Sequence, residues 1–248
     1  MDTRFLHAVG HRPYPLPRAP WVMAQQWHDL LFAHWTVSAE RMRELVPAQF
    51  PLDLYDGRCY LGIVPFTMKH VRPRLAPSVP WLSFFHELNV RTYVTVGGKP
   101  GVFFFSLDAA NPIAVQIART GFKLPYFNAR MMLKRQGDTI YYDSRRTHRG
   151  APPAELRGHY RPTGPVYLST PGTLEHWLTE RYALYTLDAQ GRILRGDIHH
   201  EQWSLQPAEA EFTVNTLAQA AGFEISGPPT LHFARAIQVV VWPLTTAP

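Results

Sequence analysis

The chain has a single cysteine, Cys59, in 248 residues, which excludes any disulfide within it. A lone cysteine in a chain of this length fits a reducing compartment, and its default role is that of a small buried hydrophobe. No stretch approaches the ~18 consecutive apolar residues of a membrane-spanning helix. The opening MDTRFLHAVGHRPYPLPR lacks the apolar core of a secretory signal. These absences lead to the expectation of a cytoplasmic protein with no membrane partner. HExxH and CxxC spacings are also missing, so no metal and no other cofactor is expected. Ser106 has no GxSxG context, and Gly97-Gly98-Lys99-Pro100-Gly101 does not have P-loop spacing, which leaves serine hydrolysis and nucleotide-phosphate binding unsupported.

Linkers are missing too. Prolines and glycines are spread along the whole length, and no low-complexity or charge-rich tract divides the chain. The expected organisation is a flexible N-terminal arm over 1–20, containing four prolines, and a single domain over 21–248. Positive charge is in excess, with 25 Lys+Arg against 19 Asp+Glu, a net charge of +6 and a pI near 9.6. That excess raises the question of an anionic partner, nucleic acid or acidic small molecules. Its densest cluster, Arg145, Arg146, His148 and Arg149, runs into Ala151-Pro152-Pro153 and reads as a loop. No helix-turn-helix, zinc finger or RNA-binding aromatic signature accompanies it, so nucleic acid is not an expected partner.

What is present concentrates between Trp81 and Tyr126. His86–Val96 alternates, with Glu87, Asn89, Arg91, Tyr93 and Thr95 on one face of a strand and Leu88, Val90, Thr92, Val94 and Val96 on the other. Gly97-Gly98 suits a hairpin turn, and Val102–Leu107 can return as a strand buried on both faces. Asn111-Pro112 reads as an N-cap followed by proline at the first helical position, and Gly121 as the helix stop. Lys123 follows that stop.

Elsewhere, Trp21–Phe32 is open between strand and short helix. Ser38 is an N-cap for a helix that ends at Pro47. Leu52–Tyr55 with Cys59–Phe66, Tyr126–Leu133 with Thr139–Asp143, Gly158–Tyr160 with Val166–Leu168, and Tyr182–Leu187 with Ile193–His199 read as strand pairs. Thr173 caps a short helix, Pro207–Gly222 has helical content, and Leu231–Trp242 is a final strand. About ten strands, mostly in hairpins, with three or four short helices, predict a mainly β chain with an antiparallel sheet or barrel and helices outside it.

The strings FAHWTVSAERMRELVP, FHELNVRTYV, GKPGVFFFSLDA, GFKLPYFNARM, WLTERYALY, IHHEQWSLQPAEAE and LHFARAIQVVVW together resemble the bacterial DUF2071, or YqjF-like, family. The likeness extends over roughly Trp21 to Leu244, and the family has no assigned activity. It is grouped with the acetoacetate decarboxylase-like superfamily, so the resemblance implies a cone-shaped, mostly antiparallel β-barrel around a ligand cavity. In the decarboxylases a lysine forms a Schiff base with a β-keto acid, a neighbouring lysine depresses its pKa, and a glutamate and an arginine line the pocket. Phe85-His86-Glu87 resembles the Tyr-Asn-Glu motif of that glutamate. Gly121-Phe122-Lys123-Leu124 resembles Gly-Phe-Pro-Lys-Lys in part: its lysine directly follows the phenylalanine and no second lysine comes after it. The resemblance also raises homo-oligomer formation, which no residue pattern here specifies.

The candidate residues carry two readings each. Lys123 is either a Schiff-base nucleophile, which requires a neutral amine, or an exposed lysine favourable to a helix C-terminus. Arg119 is the nearby cation able to take the place of the missing lysine. Glu87, Asn89 and Arg91 are either a polar row inside a barrel, with Glu87 as acid or base and Arg91 as a carboxylate clamp, or a solvent-facing strand. Glu180 and Arg181 either complete a buried ion network with the Glu87 face or serve as scaffold. The leading expectation is a barrel cavity that binds a small organic acid or carbonyl compound, with lyase-type or aldol-type chemistry through Lys123 if it is an enzyme. The alternatives are a non-catalytic binding protein and, more remotely, a basic nucleic-acid or protein-interaction module.

Overall fold

Trp21–Phe32, open between strand and helix, belongs to a long strand. In the computed structural model, which describes residues 4–247, β1 spans Met23–Val37 and bulges between His28 and Ala33, where Asp29 takes a positive φ of 52°. Ser38 caps α1 (Ala39–Leu45), its hydroxyl accepting from the Arg41 amide at 3.0 Å. The chain returns as β2 (Cys59–Pro73), buried from Cys59 to Met68. Leu52 and Tyr55, expected as a strand, make only isolated bridges, to Val94 and Arg58.

The alternating segment is β3 (Phe85–Val96), and the Gly97-Gly98 turn, with φ of 56° and 73°, leads into β4 (Lys99–Ala109). Asn111 caps α2 (Pro112–Gly121) by accepting from the Ile113 and Ala114 amides. The hairpin of β5 (Tyr126–Gln136) and β6 (Thr139–Arg146) turns at Gly137. Next come β7 (Glu155–Pro162), β8 (Tyr167–Leu168), α3 (Leu174–Thr179), β9 (Ala183–Leu187) and β10 (Ile193–His199). β7 and β8 do not pair with each other; both pair with β11 (Ser204–Asn215). Most of Pro207–Gly222 is therefore strand rather than helix, with only α4 (Leu217–Ala220) helical, because Ala208–Asn215 finds a ladder on β7. Propensity yields there to tertiary pairing. β12 (Thr230–Val241) and the two-residue β13 (Thr245–Thr246) end the described chain.

Among the described residues the strands form one 13-stranded sheet. β12, β1, β2, β3 and β4 pair antiparallel in succession, β4 is joined in parallel by β5 and β9, β9 pairs with β10, and β10 returns to β12. The pairings thus close into a ring, in keeping with the mostly antiparallel architecture and few short helices expected. Gly101 permits the β4–β9 approach: a Cβ there would lie 2.6 Å from both the Ala183 carbonyl oxygen and the Tyr185 ring. One apolar cluster, including Leu31, Ile63, Leu88, Val90 and Phe233, fills the space between strands. A second, with Leu30, Phe32, Val64, Phe66, Met68 and Trp203, supplies the walls described below.

Of the N-terminal arm over 1–20, Met1–Thr3 lie outside the described residues, as does Pro248. Phe5 is buried and its carbonyl accepts from His199 Nε2 at 2.9 Å. Arg12 donates to the Ile198 carbonyl at 2.9 Å and stacks over Tyr182 at 4.4 Å. Phe5, Leu6 and Leu16 pack in one cluster with Ala24, Val240 and Trp242.

Candidate ligand cavity

A cavity of about 260 Å³ opens inside the ring of strands. Its polar wall is the β3 row predicted from alternation. Glu87, Asn89 and Arg91 all line it, spaced about 6.6 Å apart by strand geometry. Opposite them on β2 stand Phe66, Val64 and Gly62, and the last residue matters because a Cβ there would come within 3.3 Å of Arg91 Cγ and 3.0 Å of His34 Nε2. Glycine at 62 leaves room for two buried side chains.

The Arg91 end is buried and cationic. Arg91 is 9% exposed and donates from Nη2 to the Leu178 carbonyl at 3.3 Å. Its guanidinium lies over the Phe32 ring at 5.4 Å and the Tyr93 ring at 5.8 Å. Its Nε is buried without a hydrogen-bond partner, and no carboxylate among the described residues lies within ion-pair distance of it. Arg181 lines the same end, but it is already paired, with Asp53 at 2.5 Å and the Trp177 carbonyl at 2.6 Å. Burial lowers its pKa below the usual value, with Asp53 acting in the other direction. Tyr93 donates to the Leu178 carbonyl at 2.7 Å, so its hydroxyl accepts from His34 Nε2 at 2.7 Å. Burial, with Arg91 nearby, holds His34 well below the usual histidine pKa and hence neutral.

Glu87 lies at the middle of the wall. It is 2% exposed, and its Oε2 accepts from the Tyr126 hydroxyl at 3.0 Å. Burial pushes its carboxyl up to about 8 against the opposing effect of that hydrogen bond, so at neutral pH the group is largely protonated and can donate. Tyr142 fixes the strand at this point by donating to the Glu87 carbonyl at 2.9 Å. Asn89 adds a buried Oδ1 with no protein partner.

Beyond Glu87 the walls are apolar: Phe66, Met68, Phe85, Trp27 and Leu107. The mouth is edged by Leu82 and by the inner side of α2, namely Ala114, Ile117, Ala118 and Phe122. Asn111 ties the two edges together by donating from Nδ2 to the Trp81 carbonyl at 2.9 Å.

The remaining predicted residues fall outside the cavity wall. Lys123 is exposed, with φ of 53°, and only its carbonyl is engaged, accepting from Thr186 Oγ1 at 2.7 Å. The chain's lysines, Lys69, Lys99, Lys123 and Lys134, are all absent from the lining. Arg119 is exposed and does not stand beside an active amine; it donates to the Tyr126 carbonyl at 2.6 Å. Glu180 is buried but turns away from the Glu87 row, accepting from the Trp203 amide at 2.9 Å and from the Tyr182 hydroxyl. Burial raises its pKa. Of the pair, only Arg181 reaches the cavity. Tyr126, Trp203 and His200 also line it. Their approach depends on the parallel pairing of β5 with β4 and on the turn after β10, neither of which leaves a local pattern.

Residues 24–238 match DUF2071, described as an uncharacterized conserved protein. The uncharacterized protein YqjF of Bacillus subtilis (strain 168) is 44% identical over 230 residues, covering 92% of this chain and 94% of that one. Among solved structures, the acetoacetate decarboxylase of Legionella pneumophila superposes with a TM-score of 0.61 at 12% identity, covering all of this chain and 96% of that one. The enduracididine biosynthesis enzyme MppR, complexed with the condensation product of pyruvate and imidazole 4-carboxaldehyde, gives 0.62 at 9% identity, covering 92% and 90%. At those identities the structures speak for the fold alone. This chain therefore belongs to the DUF2071 family and has the acetoacetate decarboxylase-like fold.

Proposed function

We propose that this protein binds a small organic acid without forming a covalent bond to it, using Arg91 as the anion partner and Glu87 with Asn89 as hydrogen-bonding groups for a carbonyl or hydroxyl. The observation that carries this reading is the Arg91 guanidinium, buried in an apolar cavity with no carboxylate partner among the described residues. A buried charge left uncompensated is costly, and an incoming carboxylate supplies the missing counter-charge through charge-assisted hydrogen bonds. Glu87, with its pKa near 8, adds a donor rather than a competing negative charge. The fold neighbour MppR, an enduracididine biosynthesis enzyme, is solved in complex with pyruvate, itself a small organic acid.

The enzymatic alternative, Schiff-base chemistry through Lys123, is disfavoured because that side chain is exposed and does not line the cavity. Arg119 and Glu180 act in this reading as positioning residues, through the Tyr126 carbonyl and the Trp203 amide. A cytoplasmic location fits the single cysteine. No helix among the described residues is long and apolar enough to cross a membrane. The experiment is calorimetric titration of the wild type and Arg91→Gln with hexanoate and benzoate. The reading predicts binding by the wild type and at least tenfold weaker binding by the variant, about 1.4 kcal/mol. Equal affinities in the two proteins contradict it.

A further inference from the structure

We infer that the ligand is an acid with a substantial apolar tail, bound with its carboxylate inward and its tail toward the mouth. This inference rests on the anion reading of Arg91 and adds the size, polarity and direction of the occupant. The cavity has a gradient along β3. At Arg91 the polar neighbours are His34 and Arg181, beside the space left by Gly62, and the Phe32 and Tyr93 rings flank the guanidinium. At Glu87 the β2 partner is Phe66; at Phe85 it is Met68, which itself pairs with Trp27 on β1. Exposure is low along the whole row, 9% at Arg91, 5% at Asn89 and 2% at Glu87, and is high at the α2 rim, 53% at Ile117.

A short acid held at Arg91 covers only the polar end and leaves the apolar walls around Phe66, Met68 and Phe85 without a partner. A tail running past Glu87 buries those walls and gains roughly in proportion to the apolar area removed from water. The volume of about 260 Å³ lies just below the range of ~300–1,000 Å³ for drug-sized ligands, so the tail is of moderate size. The opposite orientation would place the carboxylate at Arg72, which also lines the mouth. That guanidinium is already turned to loop carbonyls, including Arg74 at 3.1 Å, and lies beside the Trp21 ring at 5.9 Å.

The test is calorimetric titration of the full chain with the straight-chain carboxylates from acetate to decanoate, repeated on Arg91→Gln, Arg72→Gln and Ala118→Leu. The expected result is a fall in Kd of about fourfold per added methylene, ending in a plateau. Arg91→Gln weakens the whole series without changing the slope, and Arg72→Gln weakens it by less than Arg91→Gln does. Ala118→Leu, at a helical rim position where leucine is well tolerated, moves the plateau to a shorter chain and does so whether or not Arg91→Gln folds. Affinity that requires Arg91 but does not grow with chain length overturns the tail and leaves the anion reading intact. Growth with chain length that is lost in Arg72→Gln instead of Arg91→Gln overturns the direction. Absence of binding by every acid overturns both readings together.

Discussion

Replacing Glu87 by glutamine should change how stability depends on pH in a way that reports directly on the cavity. The folded-state carboxyl titrates near 8, raised from the usual 4.5 by burial, so between those values the native state holds a proton that the unfolded state has lost. Stability from this group is fully present below the unfolded pKa and declines as pH rises toward the folded one. At ~1.4 kcal/mol per pH unit, the wild type loses up to about 4 kcal/mol between pH 5 and 8 from this source. The amide introduced by Glu87→Gln cannot ionise and can still accept from the Tyr126 hydroxyl, so the variant escapes that loss. Buried histidines such as His200, lowered to about 3, affect both proteins alike and cancel in the difference. Urea unfolding at pH 5, 6, 7 and 8 measures it, with the stability of Glu87→Gln rising relative to the wild type at each step. A difference between the two proteins that stays constant with pH would refute the protonated Glu87.

Three further outcomes follow from the same geometry. Arg146→Ala should cost about 3–5 kcal/mol by chemical denaturation, because it leaves Asp108 as an uncompensated buried carboxylate; the two groups lie 2.8 Å apart, and the Asp108 side chain has no solvent exposure. Gly101→Ala should lower the melting temperature by more than a typical surface substitution, since the new Cβ would sit 2.6 Å from the Ala183 carbonyl oxygen, which is backbone and slow to yield. Lys123→Ala should leave acid binding unchanged, and borohydride treatment of the wild type with acetoacetate or pyruvate should leave its mass unchanged. A trapped adduct on Lys123 would instead restore covalent chemistry.

The polar wall is legible because a strand repeats every two residues: alternation over His86–Val96 puts Glu87, Asn89 and Arg91 on one face. The Gly97-Gly98 turn and the Asn111 cap were equally local, since positive φ and side-chain capping leave residue-level marks. What those patterns do not encode is which elements meet. Tyr126 reaches Glu87 only because β5 lies parallel to β4 beyond an intervening helix. Lys123 follows directly on the helix, and its left-handed backbone conformation turns the chain so that its side chain points outward; the Gly-Phe-Lys string carries no trace of that turn. Ala208–Glu211 is made of helix-forming residues and is strand because β7 is alongside.

The central claim is that Arg91 receives the carboxylate of a bound acid. A crystal structure of the full chain soaked or grown with octanoate tests it most directly. The account predicts density for the carboxylate within ~3 Å of the Arg91 guanidinium, with the alkyl chain running past Glu87 toward Ala118 and Ile117. Density with the carboxylate at the rim, or a ligand confined to the protein surface while Arg91 remains unpaired, would contradict it.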